Sequence, residues 1–241
     1  MVRRYLAFDI ETAKDVPGDG FNWRAHRPLG ISCAAALRCD VTEPILWYGR
    51  SADGTPAEQM SPAEARDLVH GLAKLTTEGY TLLTWNGLGF DFDVLAEESG
   101  CRDECKELAL NHVDMMFHVF CDRGFPVGLD RAAQALGIPG KPEGMSGLLA
   151  PQLWAQGRYQ EVLDYVAQDV RIALQIARVC EQRRRFPWTT QRGKVSLMDL
   201  PRGWLTVREA IGLPPPDTSW MDHAIPRHAF TNWLNKDKGR S

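Results

Sequence analysis

The sequence lacks the features that mark several large classes of protein. Its six cysteines form no C-x-x-C pair and lie near no paired histidines, so it carries no zinc-binding pattern. No apolar stretch approaches the length of a membrane span, and Asp9 interrupts the short apolar run after Arg4 too early for a secretory signal peptide. We therefore expect a cytoplasmic protein with no membrane partner, whose cysteines serve as small buried hydrophobic residues.

An excess of charge of one sign is also absent. Hydrophobic residues make up 44% of the sequence and charged residues 24%, and the formal net charge is −3. Phosphate contacts usually draw on lysine and arginine, so this sum does not by itself predict a nucleic-acid partner. A cluster of acidic residues would lower the sum while a local basic rim still binds phosphate. With 241 residues, the chain can form one full core and an extension or small second unit.

The hydrophobic pattern predicts a mixed α/β architecture. Apolar runs predict strands at residues 5–11, 30–37, 44–48 and 80–85, with a short fifth strand at 112–116. The pattern Ser61-Pro62-Ala63-Glu64 predicts a helix start with a capping box. Helical spacing predicts further helices at 91–98, 104–110, 129–136, 146–156 and 160–184. Three early strands followed by alternating strands and helices predict a mixed sheet with helices packed on it.

The character of the sequence changes after Arg185. Residues 186–241 are richer in proline and tryptophan than residues 1–185, which contain the predicted sheet. We expect the later segment to be a C-terminal extension packed on the main domain. The reason is that tryptophan favours burial, and four tryptophans stand in this segment: Trp188, Trp204, Trp220 and Trp233.

The first acidic motif is Phe8-Asp9-Ile10-Glu11-Thr12. Side chains alternate between the faces of a strand, so Asp9 and Glu11 point the same way and Ile10 points into apolar packing. Two partly desolvated carboxylates repel each other, and a divalent cation relieves that repulsion. Hard oxygen ligands suit magnesium or manganese. A solvated strand end is the alternative interpretation of this motif taken alone.

The second acidic motif follows the predicted strand at 80–85 and opens a helix. Asp91 shares a helix face with Val94 and Leu95, which must face the core, so Asp91 should lie at the rim of the sheet. Asp93 is about 200° further around the helix and is expected to face solvent. The alternative role for Asp91 is a helix N-terminal acid favoured by the helix dipole.

The third motif, Tyr165-Val166-Ala167-Gln168-Asp169, lies inside the predicted long helix. Tyr165 and Asp169 are four residues apart and are therefore neighbours on one helix face. The tyrosine hydroxyl can orient a water molecule, and the aspartate adds a metal-ligating carboxylate. Such a pair on a helix can equally be structural.

The three motifs together resemble the DEDD exonuclease superfamily, which includes the proofreading domains of DNA polymerases and several RNA-trimming enzymes. The resemblance rests on F-D-I-E-T, N-x-x-x-F-D-x-x-x-L and Y-x-x-x-D, which occur here in the right order over residues 5–180. It implies a ribonuclease H-like fold, a mixed five-stranded sheet flanked by helices. It also implies two divalent cations, Mg²⁺ or Mn²⁺, as cofactors of phosphodiester hydrolysis.

The resemblance implies metal ligands at four positions. Asp9, Glu11 and Asp169 would bind one cation, and Asp9 would also bind a second, which Asp91 reaches directly or through water. All four carboxylates are thus candidate catalytic residues.

The resemblance further divides the superfamily by the residue that positions the attacking water. A histidine branch has histidine five residues before the last aspartate, where this sequence has Asp164. Tyr165 stands four residues before Asp169, as in the tyrosine branch, and is the fifth candidate catalytic residue.

Other residues are weaker candidates. We expect Thr12, Asn86, Arg192 and Lys194 to contact nucleic acid. The arginines at 183–185, together with Arg192 and Lys194, either follow a phosphate backbone or form a solvated helix end, where the helix dipole favours cations. Asp114 is expected to support the site from behind. Residues 144–147 either approach a nucleotide or cap a helix through Ser146. Four of the six histidines, at positions 112, 118, 223 and 228, are expected to be structural or exposed.

The sequence therefore predicts a 3′–5′ exonuclease that acts on single-stranded 3′ ends of DNA or RNA. One alternative is a nucleic-acid-binding or scaffolding domain that keeps the fold without activity. The complete set of carboxylates speaks against it, because a degenerate domain usually lacks a ligand. A nuclease that cuts internally, or one specific for RNA, is the other alternative.

Overall fold

The computed structural model of the protein describes residues 3–16, 22–140 and 147–235. The strands of its central sheet are β1 (Tyr5–Thr12), β2 (Ile31–Arg38), β3 (Ile45–Tyr48), β4 (Thr81–Thr84) and β5 (Val113–Asp114). They are arranged in the order β3-β2-β1-β4-β5. β1 pairs antiparallel with β2 and parallel with β4, and β4 pairs parallel with β5. The predicted mixed sheet of five strands is confirmed.

Helices cover both faces of the sheet. Within the described ranges they begin with α1 (Pro62–Thr77), α2 (Asp91–Ser99), α3 (Arg102–Asn111), α4 (Met115–Arg123), α5 (Leu129–Leu136), α6 (Ala150–Ala155) and α7 (Tyr159–Arg183). α1 to α3 contribute to one hydrophobic core, α5 to α7 to the other, and α4 to both. In the part of the chain that the structure describes, no helix is both long and apolar enough to cross a membrane.

The central strand β1 supplies both cores by alternation of its side chains. Leu6, Phe8 and Ile10 are buried among the residues of α1 and α2. Tyr5 and Ala7 are buried on the opposite face, among the residues of α7. The same alternation places Asp9 and Glu11 on the α7 face of the sheet.

The predicted helix start at Ser61 is confirmed. The Ser61 hydroxyl accepts a hydrogen bond from the backbone N–H of Glu64 at 3.3 Å, and the Ser61 N–H donates to the Glu64 carboxylate at 2.7 Å. This reciprocal pair satisfies two N–H groups that have no partner within the helix.

Two local predictions differ from the structure. The fifth strand spans only two residues, because the Asp114 carboxylate accepts from the Phe117 N–H at 2.9 Å and so starts α4. Helix α4 was not predicted from the sequence. The helix predicted at 146–156 begins at Ala150, and position 146 lies outside the described residues.

The C-terminal part forms a hairpin and two short helices. They are β6 (Arg185–Thr189), β7 (Val195–Asp199), α8 (Val207–Ile211) and α9 (His228–Thr231). Trp188, Trp204 and Trp233 are buried in the two cores, as expected. Trp220 is 66% exposed, so its predicted burial is wrong. Its ring contacts Phe125 at a centroid distance of 6.1 Å and is otherwise on the surface. The boundary at residue 185 between domain and extension stays a prediction.

Candidate active site

The end of β1 brings two acidic side chains to the face that α7 covers. Asp9 is opposite Ala35 of β2, and Glu11 is opposite Cys33. These small partners leave room beside the helix for carboxylates. Glu11 is only 6% exposed, and Asp9 is partly buried. The strand alternation expected for this pair is therefore present in the structure.

Helix α7 brings a third carboxylate to the same place. Asp169 is buried, and one of its oxygens lies within 4.8 Å of one oxygen each of Asp9 and Glu11. The strand and the helix stand far apart in the sequence, so tertiary packing alone creates this cluster. Three carboxylate oxygens at this spacing are a donor set suited to a hard divalent cation.

Asp91 approaches the cluster from the start of α2. It is 3% exposed, its carboxylate accepts a hydrogen bond from the Ile10 N–H at 3.1 Å, and it hydrogen-bonds to the Asp9 side chain. Burial, together with the neighbouring charge of Asp114, raises the pKa of Asp91 to about 7, while these hydrogen bonds oppose the shift. A buried carboxylate with a raised pKa beside other carboxylates is typical of a functional site.

Asp114 holds the loop between β4 and α2, as the sequence analysis expected of a supporting residue. Its carboxylate accepts from the backbone N–H groups of Asn86 at 3.0 Å and Leu88 at 2.9 Å. Asn86 has a positive φ of 74°, and a side chain at Gly87 would collide with Thr84. The loop is thus fixed in one conformation, which sets the position of Asp91.

The prediction that Asp93 faces solvent is wrong. Asp93 is 1% exposed, and its carboxylate forms ion pairs with Arg24 at 3.2 Å and Arg27 at 2.5 Å. Both arginines also lie over the Trp23 ring. Residues 22–28, which carry no helical or strand periodicity, cover the helix face that the sequence analysis assigned to water.

Tyr165 lies beside the acidic cluster on the face of α7 that also carries Asp169. It is 2% exposed, and burial raises the pKa of its hydroxyl well above the usual range, with Glu11 and Asp169 adding to the shift. The hydroxyl therefore keeps its proton at neutral pH. It can orient a water molecule by hydrogen bonding, but it does not act as a base.

These side chains line a cleft of about 330 Å³, which we call the acidic cleft. All five candidate catalytic residues line it, and so do Thr12 and Asn86. Several of its other lining residues were not predicted from the sequence: Lys14, Trp23, Trp85, Phe90 and Leu148. Phe90 stands within the second motif, so its position beside Asp91 was the available signal. Trp85 directly precedes the same motif, whereas Lys14, Trp23 and Leu148 lie in segments that carry no motif.

Arg192 and Lys194 do not line the acidic cleft. They lie in a second cavity of about 740 Å³ between the β6–β7 hairpin, residues 125–131 and Trp220, which we call the hairpin groove. The arginines at 183–185 are exposed, as the competing interpretation expected. Residues 144–146 lie outside the described residues, and Gly147 alone of that stretch is seen beside Glu11 and Tyr165.

The four histidines considered in the sequence are structural or exposed, as expected. His112 is buried between the Thr84 hydroxyl at 2.9 Å and the Ala109 carbonyl at 2.6 Å, and burial lowers its pKa to about 3. His118 accepts from the Leu205 N–H at 3.3 Å, and burial lowers its pKa to about 4. His223 and His228 are exposed.

A family model for the ribonuclease H superfamily matches residues 51–180, which is more than half of the chain. The chain therefore belongs to the ribonuclease H superfamily. This confirms the ribonuclease H-like fold that the motifs implied, and it is consistent with the DEDD exonucleases. Comparison with curated proteins gives no match.

Solved structures with a similar fold include a family B DNA polymerase from the hyperthermophilic archaeon Pyrobaculum calidifontis, at 19% identity and a TM-score of 0.50. The match covers 75% of this chain and 25% of the polymerase. Exonuclease I of E. coli in complex with a 5cy-dA13 oligonucleotide has 18% identity, a TM-score of 0.39, and coverage of 75% and 41%. An apo exonuclease I has 13% identity, a TM-score of 0.42, and coverage of 97% and 70%. The chain thus spans a quarter of the polymerase and about two fifths of the E. coli enzyme.

Proposed function

We propose that this protein is a metal-dependent nuclease that removes nucleotides from the 3′ end of single-stranded nucleic acid. The observation that carries the proposal is the convergence within 4.8 Å of Asp9, Glu11 and Asp169, which lie on a strand and a helix far apart in the sequence. Asp91 and Tyr165 stand beside them. Burying several carboxylates together is unfavourable, because their negative charges repel one another. A divalent cation would supply the compensating charge.

The chemistry of this donor set fits Mg²⁺ or Mn²⁺. Asp9, Glu11 and Asp169 would hold one cation, and Asp9 with Asp91 would hold a second. Divalent cations at such a site activate water and stabilise charge on phosphoryl oxygens. The hydrogen bond from the Ile10 N–H fixes one oxygen of Asp91 beside the end of β1, and Asp91 lines the acidic cleft.

Tyr165 would position the attacking water, as in the tyrosine branch of the DEDD superfamily. Its hydroxyl is protonated at neutral pH and lies on the same helix face as Asp169. It would therefore hold a water or a phosphoryl oxygen in line through one hydrogen bond. Orientation of this kind contributes to catalysis without any proton transfer by the tyrosine.

The shape of the acidic cleft favours a chain end as substrate. A volume of about 330 Å³ is at the lower end of the range for small-molecule sites, so the cleft fits about one terminal nucleotide. Trp23, Trp85 and Phe90 line it and offer apolar surfaces to a base and a sugar. Thr12 and Asn86 would contact the sugar or phosphate of that nucleotide.

Digestion of end-labelled oligonucleotides tests this function. Single-stranded DNA and RNA carrying a label at the 5′ or the 3′ end are incubated with the protein and Mg²⁺ or Mn²⁺, and Asp9→Asn, purified identically, is the control. We expect a descending ladder from the 5′-labelled strand and release of a labelled mononucleotide from the 3′-labelled strand. Internal fragments would indicate an endonuclease. Absence of products with both sugars would favour the inactive binding domain.

Three further assignments belong to this proposal. We take residues 1–185 as the nuclease domain and 186–241 as an extension packed on it. We also propose a cytoplasmic, reducing setting, because all six cysteines are free and four of them are buried. Arg192 and Lys194 would contact the same nucleic acid outside the acidic cleft.

A further inference from the structure

The hairpin groove is built from aromatic and basic residues. Phe125, Trp188 and Trp220 line it, and so do three cations: Arg131, Arg192 and Lys194. Among the described residues of its lining there is no carboxylate. Aromatic rings beside cations are the combination by which proteins bind single strands, since bases stack on the rings and phosphates contact the cations.

One aromatic side chain is presented to the groove in an unusual way. Trp220 is 66% exposed, whereas Trp188, Trp204 and Trp233 are buried. Its indole N–H donates to the Asp217 carbonyl at 3.2 Å, and its ring meets Phe125 edge-to-face at 6.1 Å. These contacts hold the ring in place while they leave most of its surface open. A fixed and exposed indole loses little conformational entropy when a base stacks on it.

The basic side of the groove is also ready for phosphates. Arg192 and Lys194 are exposed at the turn of the β6–β7 hairpin, and the turn is closed by a hydrogen bond from the Thr190 N–H to the Lys194 carbonyl at 2.7 Å. Arg131 donates to the Thr189 carbonyl at 3.4 Å, which ties the hairpin to α5. The two turn cations thus project from a backbone whose position is fixed.

The groove and the acidic cleft share a wall. Gly128 lines the groove, and the next residue, Leu129, lines the cleft. On the inner side, Trp85 of the cleft wall donates its indole N–H to the Val127 carbonyl at 3.0 Å. Its ring packs against Phe186, which stacks on Trp188. Adjacent Cα atoms are about 3.8 Å apart, so a strand leaving the cleft at Leu129 reaches the groove within a few nucleotides.

We propose that the hairpin groove binds the single strand on the 5′ side of the nucleotide in the acidic cleft, with a base stacked on Trp220 and phosphates on Arg192 and Lys194. This inference rests on the proposed function, which places the 3′ end in the cleft. A protein ligand is the competing occupant, and the absence of carboxylates from the described lining together with three cations favours a polyanion over an apolar peptide.

Binding measured in excess chelator tests the groove apart from hydrolysis. The probes are 5′-fluorescein dT3, dT6 and dT12 and the corresponding oligouridylates, followed by fluorescence anisotropy. For the wild type we expect affinity to rise with length. Trp220→Ala should weaken binding of the 12-mer by about fivefold to a hundredfold and flatten that length dependence, and Trp220→Phe should retain most of the affinity.

The cations have a separate readout. The double variant Arg192→Ala/Lys194→Ala removes two side chains that would each neutralise one phosphate, so the slope of log K against log salt should become shallower by about 1.4 for a single strand. The matched control is Lys74→Ala/Arg208→Ala, which removes one exposed lysine and one exposed arginine outside both cavities and should leave the slope unchanged.

The outcomes separate this proposal from the proposed function. If Trp220→Ala binds the 12-mer more weakly but the wild type shows no hydrolysis in Mg²⁺ or Mn²⁺, the proposal for the groove is supported and the nuclease is refuted. Suppose instead that the wild type hydrolyses the substrate and that both groove variants bind the 12-mers as tightly as the wild type does. That result would support the nuclease and overturn the proposal for the groove. If the control double variant made the slope of log K against log salt equally shallow, the proposal for the groove would also be overturned. The change in slope would then reflect the net charge of the protein and not the position of Arg192 and Lys194.

Discussion

The acidic cleft and the hairpin groove are neighbours with opposite chemistry. The cleft gathers four carboxylates, and Lys14 is the one cation among its described lining residues. The groove gathers three cations and three aromatic rings with no carboxylate among its described lining residues. On the proposed functions, cleavage of a phosphodiester would need divalent cations bound at the cleft, while retention of a strand would need cationic side chains fixed on the protein. Separate sites would satisfy both needs, because the carboxylates of the cleft would repel the strand that the groove would attract.

If both regions act as proposed, their separation also explains why the net charge of the chain does not indicate nucleic-acid binding. The formal charge of −3 averages an acidic centre with a basic flank. Arg192 and Lys194 are only two of the 28 lysines and arginines, so they hardly alter the composition. The local potential near a strand depends on charges within about a Debye length, roughly 8 to 10 Å, and not on the sum over the chain.

Metal removal should give the largest effect and divide the two regions most sharply. Excess chelator should abolish hydrolysis, and Mg²⁺ or Mn²⁺ should restore it, because the cleft carboxylates need a cation to act on phosphate. Calcium should bind and support little turnover. Binding of the 12-mer in chelator should persist, because the cations of the groove are arginine and lysine side chains, which a chelator does not remove. Undiminished hydrolysis in chelator would contradict the metal-dependent mechanism.

Single changes in the cluster should be nearly as severe. Asp9→Asn and Asp169→Asn should each remove nearly all turnover, a loss of about four orders of magnitude or more, as removal of a central catalytic residue does. Affinity for the 12-mer should not fall in either variant, because the change removes a negative charge and leaves the groove intact. Turnover and anisotropy on the same preparations measure both. Turnover close to that of the wild type would refute the assignment of ligands.

Tyr165→Phe tests positioning within the cleft. It removes one hydroxyl and keeps the ring packing, so turnover should fall by roughly tenfold to a thousandfold, or about 1.4 to 4 kcal/mol of barrier. Single-turnover rates and thermal melting are measured on the same variant. A structural hydroxyl would instead cost about 1 kcal/mol of stability and leave the rate unchanged.

Asp93→Asn probes the wall of the cleft rather than its chemistry. The change breaks the buried ion pairs with Arg24 and Arg27, which hold the segment that carries Trp23. The free energy of unfolding should fall by about 1 to 3 kcal/mol, as judged from denaturant titration. Turnover should persist where the variant is folded, whereas Asp91→Asn should lose it. The reverse pattern would make Asp93 the functional acid of α2.

The smallest effect concerns the pH dependence of the metal-free protein. Burial raises the pKa of Asp91 from 3.8 to about 7, so its ionisation opposes folding as the pH climbs through this interval. The stability of the metal-free wild type should therefore decrease between pH 4 and pH 7. Asp91→Asn should melt a few degrees higher than the wild type at pH 8 and equally at pH 4. Added Mg²⁺ should reverse the order at pH 8.

Much of the site was predictable because its motifs are local. Alternation along β1 put Asp9 and Glu11 on one face, and one helical turn links Tyr165 to Asp169. Asp91 was assigned correctly to the rim of the sheet because Val94 and Leu95 fix that face of α2. Each of these inferences uses only the period of one element. The same reasoning failed for Asp93, since periodicity assigns a side chain to the back of a helix but does not reveal what covers it.

Local patterns were enough to predict most of the strands and helices in order, the start of α1 at Ser61 and the identity of the acidic residues, because these depend on neighbours a few positions away. Packing between distant segments was needed for Asp9 to meet Asp169, for Arg24 and Arg27 to cover Asp93, and for Trp220 to stay exposed beside Phe125. Such contacts join segments tens of residues apart. Their formation depends on how whole elements pack, which no local pattern encodes.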